Sequence, residues 1–231
     1  MQVRLKGFIK TVQKYERCAR REPAFWKARD SLGNYLSGPV NPVKTGRTVK
    51  RFLGIWKSYR GRIGWTSLAK LWTPDLQRIA HSLSGIHIED ARIEELYQAC
   101  RLYECLIQVQ GVGGTNASKM LALGLPDLCV MWDGNIGRQF RKGYQPRPAS
   151  VAKSAVTSGI SRDALLYLEF LGKQKGMADS LIVQCMHQER LDRSGAISWL
   201  QNLPLREPNS VVRRPKSLAK MLDQYNYYRR S

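Results

Sequence analysis

Acidic residues are scarce in this 231-residue chain, where 18 Asp and Glu stand against 38 Lys and Arg for a formal net charge of +20. The imbalance favours phosphate polymers through counterion release, so anionic polymers are the expected partners. Charge alone does not separate DNA from RNA, since a ribosomal or RNA-binding protein would show the same excess. Cysteine is scarce too. The five at positions 18, 100, 105, 129 and 185 are odd in number and scattered, which reads as reduced thiols and excludes a disulfide framework. His81, His87 and His187 have no metal-ligand spacing among themselves, and the nearby pair Cys185 and His187 falls short of a zinc site, so no metal is expected. No run approaches the roughly 18 apolar residues of a membrane span. The start Met1-Gln2-Val3-Arg4-Leu5-Lys6 lacks the apolar core of a secretory signal. The expected location is the cytoplasm, in association with the nucleoid and without a membrane partner.

Long β-branched runs are also missing, as are internal repeats and extended low-complexity segments, while a hydrophobic content of 43% is enough for a core. The expected class is all-α. Candidate helices are 3–20, 23–36, 46–58, 65–83, 90–108, 115–124, 134–142, 161–173, 176–192 and 194–202. Breaks are expected from Gly38-Pro39 to Gly46, at Thr73-Pro74, at Gln145-Pro146-Arg147-Pro148 and at Leu203-Pro204. Thr73-Pro74-Asp75 is also a good helix start. Residues 1–62 hold 16 Lys or Arg and 3 acidic residues, interleaved with Phe25, Trp26, Tyr35, Phe52, Trp56 and Tyr59. A similar mixture recurs from Arg213-Arg214-Pro215-Lys216 to Tyr228-Arg229-Arg230 and is expected to form a basic C-terminal tail. Either segment could track a nucleic-acid backbone with aromatic stacking surfaces, although such aromatics more often fill a core.

The most informative segment is Gln110-Gly111-Val112-Gly113-Gly114-Thr115-Asn116-Ala117, followed by Trp132-Asp133-Gly134-Asn135. Upstream, Ile93, Leu96, Tyr97, Cys100, Tyr103 and Ile107 recur at helical spacing. Gly111 and Gly113 are expected to stop that helix and permit positive φ, with Thr115 or Asn116 capping a second helix through Leu123. Such a turn presents backbone N–H groups and the positive end of a helix dipole, a geometry suited to a phosphate. An ordinary helix–turn–helix packing unit would use the same residues.

The stretch 106–140 resembles the helix-hairpin-helix DNA glycosylase superfamily, in which a G-V-G hairpin precedes an aspartate at a constant interval. In the endonuclease III branch the hairpin reads G-V-G-x-K-T-A. An ungapped overlay puts Thr115 at that lysine, Ala117 at the alanine and Asp133 at the aspartate. Asp133-Gly134-Asn135-Ile136 also looks like the D-G-N-V of the adenine glycosylase branch, which likewise lacks the lysine. The resemblance covers about 35 positions and implies two helical lobes flanking an active cleft. The barrel with the hairpin (90–124) would span 46–145, and 1–45 plus 150–231 would form the other lobe. Many relatives carry a four-cysteine iron–sulfur loop, but only Cys185 lies beyond Cys129 here. Neither an iron–sulfur cluster nor any other cofactor is expected.

The chemistry implied is hydrolysis of a base–sugar bond. Positive charge develops on the deoxyribose, and a fixed anion such as Asp133 lowers that barrier and can activate the attacking water. Asp133 could equally cap the helix that begins near Gly134. Lysine-bearing relatives attack the sugar with an amine, and Thr115 cannot. The expected enzyme is therefore a monofunctional glycosylase that leaves an abasic site, with Lys119 as a substitute nucleophile the other possibility. Gly111, Val112, Gly113, Gly114, Thr115, Asn116 and Lys119 are the candidate DNA contacts, and Trp132, Asn135 and Arg138 the candidate pocket or sugar contacts. The expected partner is double-stranded DNA bound by a monomer, its target base swung out of the stack. The base is either a damaged or mismatched one, or a modified one such as hypermodified cytosine in a viral genome, the latter implying phage defence. Adenine specificity is not expected, because that branch relies on an additional C-terminal domain. A non-catalytic helix-hairpin-helix DNA-binding protein is the alternative, which gives no reason for Asp133 at its spacing.

Overall fold

Periodic apolar residues produce helices throughout. In the computed structural model, which describes residues 3–56, 58, 62–134, 136–137 and 160–228, eleven α-helices and no strand occur among the described residues. They are α1 (Leu5–Cys18), α2 (Glu22–Leu32), α3 (Lys44–Ile55), α4 (Trp65–Leu71), α5 (Pro74–Ser82) and α6 (Ile93–Ile107). α7 (Gly114–Gly124), α8 (Arg162–Glu189), α9 (Arg193–Gln201), α10 (Leu203–Arg206) and α11 (Leu218–Tyr228) follow.

Local chemistry sets several boundaries. The expected helix 65–83 is two helices, because Pro74 lacks an N–H and holds Thr73 extended, where its hydroxyl caps α5 at Leu76 N–H. Conversely, the expected pair 161–173 and 176–192 is one 28-residue helix capped by Ser161. Gly172 and Gly176 stand in open space and interrupt nothing. Gln174 between them is buried and accepts a hydrogen bond from Asn226 of α11 at 2.9 Å, so the two-residue gap between the candidate helices is a packed seam. Asp192 caps α9, accepting Gly195 N–H at 2.7 Å. Of the candidate helix 134–142, Gly134, Ile136 and Gly137 are helical and the remainder lies outside the described residues.

Within the expected basic tail the lysines are instead interior, while Arg213 is exposed, Arg214 half-buried, and Arg229 and Arg230 lie outside the described residues. Lys216 is 1% and Lys220 3% exposed, and α11 packs against α1 and α8. One contiguous set of buried side chains runs from Val3 to Leu222. Phe8, Phe25, Phe52, Trp72, Tyr167 and Phe170 are among its largest members, each contributing about 1.5–3 kcal/mol through burial. Of the N-terminal aromatics, Phe25, Tyr35, Phe52 and Trp56 thus fill the core and Trp26 packs against it, while Tyr59 lies outside the described residues. α7 is central, packed by α2, α3 and α6, and every residue from Asn116 to Gly124 is buried. A helix held on so many sides is a fixed reference for whatever its first turn presents.

Candidate functional site

α6 ends at Ile107 and the chain reverses over six residues into α7. Gly111 carries the demanding conformation of this turn. Its φ is +78°, and a Cβ there would overlap the carbonyl oxygen of Arg62. Gly64 N–H donates to the Gln110 carbonyl at 3.0 Å, so the hairpin is seated against the backbone of residues 62–64. Gly113 differs from expectation. With φ −80° and ψ 171° it is ordinary extended backbone, and it occupies the N-cap of α7 in place of Thr115 or Asn116, which lie in the first turn. A Cβ on Gly113 would stand in open space, whereas one on Gly114 would overlap the Tyr103 hydroxyl.

The turn borders an open groove of about 540 Å³ lined by Ser58 and residues 107–116. Val112 N–H is used within the turn, and the amides of Asn116 and Ala117 both donate to the Gly113 carbonyl. The N–H groups of Gly113, Gly114 and Thr115 find no backbone acceptor among the described residues, as first-turn amides do not. Gly111 and Gly113 are exposed, Gly114 and Thr115 half-buried, Val112 and Asn116 buried. The two buried side chains anchor the turn, leaving its glycine backbone at the surface.

Asp133 is tied to this element through Ser118. That hydroxyl accepts Trp132 N–H at 2.9 Å and lies 2.9 Å from the Trp132 carbonyl and 3.1 Å from that of Thr115. The segment before Asp133 is thereby pinned to the helix whose N-terminus forms the groove. Asp133 is half-buried and caps the next helical turn, its Oδ1 accepting Ile136 N–H at 2.7 Å and its carbonyl accepting Gly137 N–H at 2.9 Å. Trp132 is a core residue, 5% exposed, edge-on to Phe170 at 4.9 Å and to Tyr167 at 6.4 Å. It is not displayed for a base. Asn135 and Arg138 lie outside the described residues.

Lys119 departs most from the sequence reading. It is 5% exposed and so is not displayed with the hairpin amides as a surface phosphate contact. Its ammonium lies 5.6 Å from the centre of the Trp56 ring. Burial lowers its pKa to about 8, reinforced by Arg21 and opposed by the carboxylates of Asp223 and Asp133. The amine is thus within electrostatic reach of Asp133.

Behind Lys119 lies a buried ionic network that the sequence reading missed. Lys216 Nζ bridges Glu16 at 2.6 Å and Glu22 at 3.1 Å, while Lys220 Nζ meets Asp223 at 3.1 Å and Glu22 at 3.4 Å. Trp26, Tyr15, Ser210 and Gln224 donate to the glutamates. Desolvation pushes the Glu22 pKa up, but Lys220 and Lys216 outweigh it and hold the carboxyl below its ordinary value. The available signal was Lys216, Lys220 and Asp223 on one stripe of an otherwise apolar segment, obscured by the surrounding arginines. All five cysteines are free thiols, and no group of three or more metal-ligating side chains occurs among the described residues. Comparison with family models, curated proteins and solved structures finds no match.

Proposed function

We propose that the protein is a monofunctional DNA glycosylase that binds double-stranded DNA through the α6–α7 hairpin, extrudes one nucleotide and hydrolyses its base–sugar bond with Asp133. The observation that carries this reading is the Ser118 clamp, because it holds the aspartate's segment against the helix whose first-turn amides line the groove. A phosphate on Gly113, Gly114 and Thr115 would fix the strand's register without reading sequence, and the carboxylate would oppose the positive charge that builds on the sugar. Capping does not compete with this role, because the hydrogen bond to Ile136 N–H orients the carboxyl group. In this reading the hairpin and Asp133 belong to a helical unit spanning 46–145, and the remaining helices form the other side of the cleft. The substrate is a damaged, mismatched or hypermodified base, the last implying defence against phage DNA. The test is incubation with genomic DNAs of varied base chemistry, modified phage DNA included, and mass spectrometry of released bases.

A second form of the reaction turns on the buried amine of Lys119, whose pKa burial lowers to about 8 within electrostatic reach of Asp133. Such an amine is neutral often enough to attack the anomeric carbon. The Nζ–C1′ bond would form as the base leaves with the bonding pair, and a proton would pass from the amine to solvent. Borohydride during turnover separates the two mechanisms. The water-using enzyme gives no trapped protein–DNA adduct and breaks strands only after alkali, whereas an adduct lost in Lys119→Ala would assign Lys119 as the nucleophile.

A further inference from the structure

A cavity of about 200 Å³ lies where the α1–α2 turn, the end of α3 and the last turn of α11 meet. It is several times the roughly 30 Å³ share of one water and smaller than the ~300 Å³ at which sites for drug-sized ligands begin. A single ring system is the fitting occupant. Its walls include Tyr15, Trp56, Tyr227 and Tyr228, with Arg20 and Arg21 beside them. Arg20 is exposed and Arg21 half-buried. Tyr15 is held by its hydroxyl, which donates to Glu22 at 3.2 Å.

Trp56 supplies a second, independent indication. It is only 7% exposed, yet its indole Nε1–H has no acceptor among the described residues. A buried donor without an acceptor costs about 1–3 kcal/mol, so a group that supplies the acceptor gains that much there. Two ammonium groups lie over the same ring, Lys119 at 5.6 Å and Lys220 at 5.4 Å. The Lys119 ammonium also lies within electrostatic reach of Asp133.

We infer that this cavity binds a nucleobase, stacked on its aromatic walls with a ring carbonyl or nitrogen accepting the Trp56 N–H, while Arg20 and Arg21 hold the adjoining phosphate. The inference rests on the proposed glycosylase reading and gives the extruded nucleotide its receptor. Stacking tolerates any base with a π-face, the indole N–H selects one with an acceptor on the edge presented, and guanidinium groups suit a phosphate.

The test is titration of the full-length protein with each of the four deoxynucleoside 5′-monophosphates and with inorganic phosphate, read by calorimetry and tryptophan fluorescence. At least one nucleotide should bind saturably in the millimolar range, and phosphate at the same concentration should not displace it. Trp56→Phe keeps a ring but removes the donor and should weaken that binding about fivefold. Arg21→Gln, at a half-buried position, should weaken it similarly and provides the test if the Trp56 variant fails to fold. No saturable binding by any of the four, or equal binding by parent, Trp56→Phe and Arg21→Gln, overturns the inference even if the enzyme releases bases. Trp56-dependent nucleotide binding by a protein that releases no base supports the cavity and removes the glycosylase reading instead.

Discussion

Lys119 is the residue whose environment is most at odds with its chemistry. An amine with an ordinary pKa of 10.5 is held at about 8 by burial, so charging it in the folded state costs more than in the unfolded chain. Below pH 8 that penalty is fully present. Between about pH 8 and 10.5 the unfolded chain binds the extra proton, so the penalty is relieved and stability rises with pH on this account. Lys119→Met should therefore be more stable than the parent below pH 8, by up to about 3 kcal/mol, with the advantage fading as pH approaches 10.5. Urea denaturation of both proteins across that range measures it. A constant difference between them would mean that the amine keeps its charge without penalty. Glycine at 111 and 113 poses a contrasting pair. Gly111 has φ +78° and no room beside the Arg62 carbonyl, so Gly111→Ala should cost about 2 kcal/mol or more in denaturant unfolding.

At the scale of the element, the hairpin's two jobs separate. Gly113 is extended and faces open space, so Gly113→Val should cost only the ~1 kcal/mol of a poorer N-cap while placing a branched side chain where a phosphate would approach. DNA affinity should fall for every sequence alike, because phosphate contacts position without specifying. Unchanged affinity across a salt titration would reduce the hairpin to a packing turn. Much of this element was legible in the sequence, where the apolar stripe of residues 93–107 and the glycine run mark a helix, a stop and a restart. Positive φ is expected at both Gly111 and Gly113, however, and only Gly111 has it, because sequence spacing does not say which glycine a neighbouring backbone will crowd. Likewise the candidate helices 161–173 and 176–192 leave 174–175 between them, where the structure has one continuous helix whose Gln174 is covered by α11.

Across the whole molecule, the interior joins the two ends of the chain by charge as well as apolar contact. Glu16 and Glu22 from α1 and α2 meet Lys216, Lys220 and Asp223 from the last segment with almost no exposure. Glu22→Gln should destabilise by about 3–5 kcal/mol, since it leaves two buried ammonium groups underpaired. Glu22 is held below its ordinary pKa of 4.5, so its contribution is present above that pH and lost as pH falls through the folded value. Acid unfolding of the Glu22 variant should accordingly show a shallower pH dependence than the parent, and a parallel curve would deny the network its ionic character. Sequence reading missed this network because it counted the C-terminal lysines as surface charge. Only tertiary pairing with residues about two hundred positions away makes their burial tolerable.

The clamp of Ser118 on Trp132 and the position of Asp133 beside α7 make one measurement decisive: base release by the parent and by Asp133→Asn, with duplex affinity measured on the same preparations. The parent should release a base from at least one of a panel of modified and damaged DNAs. The variant should bind DNA within about twofold of the parent and release that base about a hundredfold more slowly, or worse, because the anion that stabilises the developing sugar charge is gone and the shape is not. Equal release by both proteins would contradict the account, as would the absence of any released base from the parent.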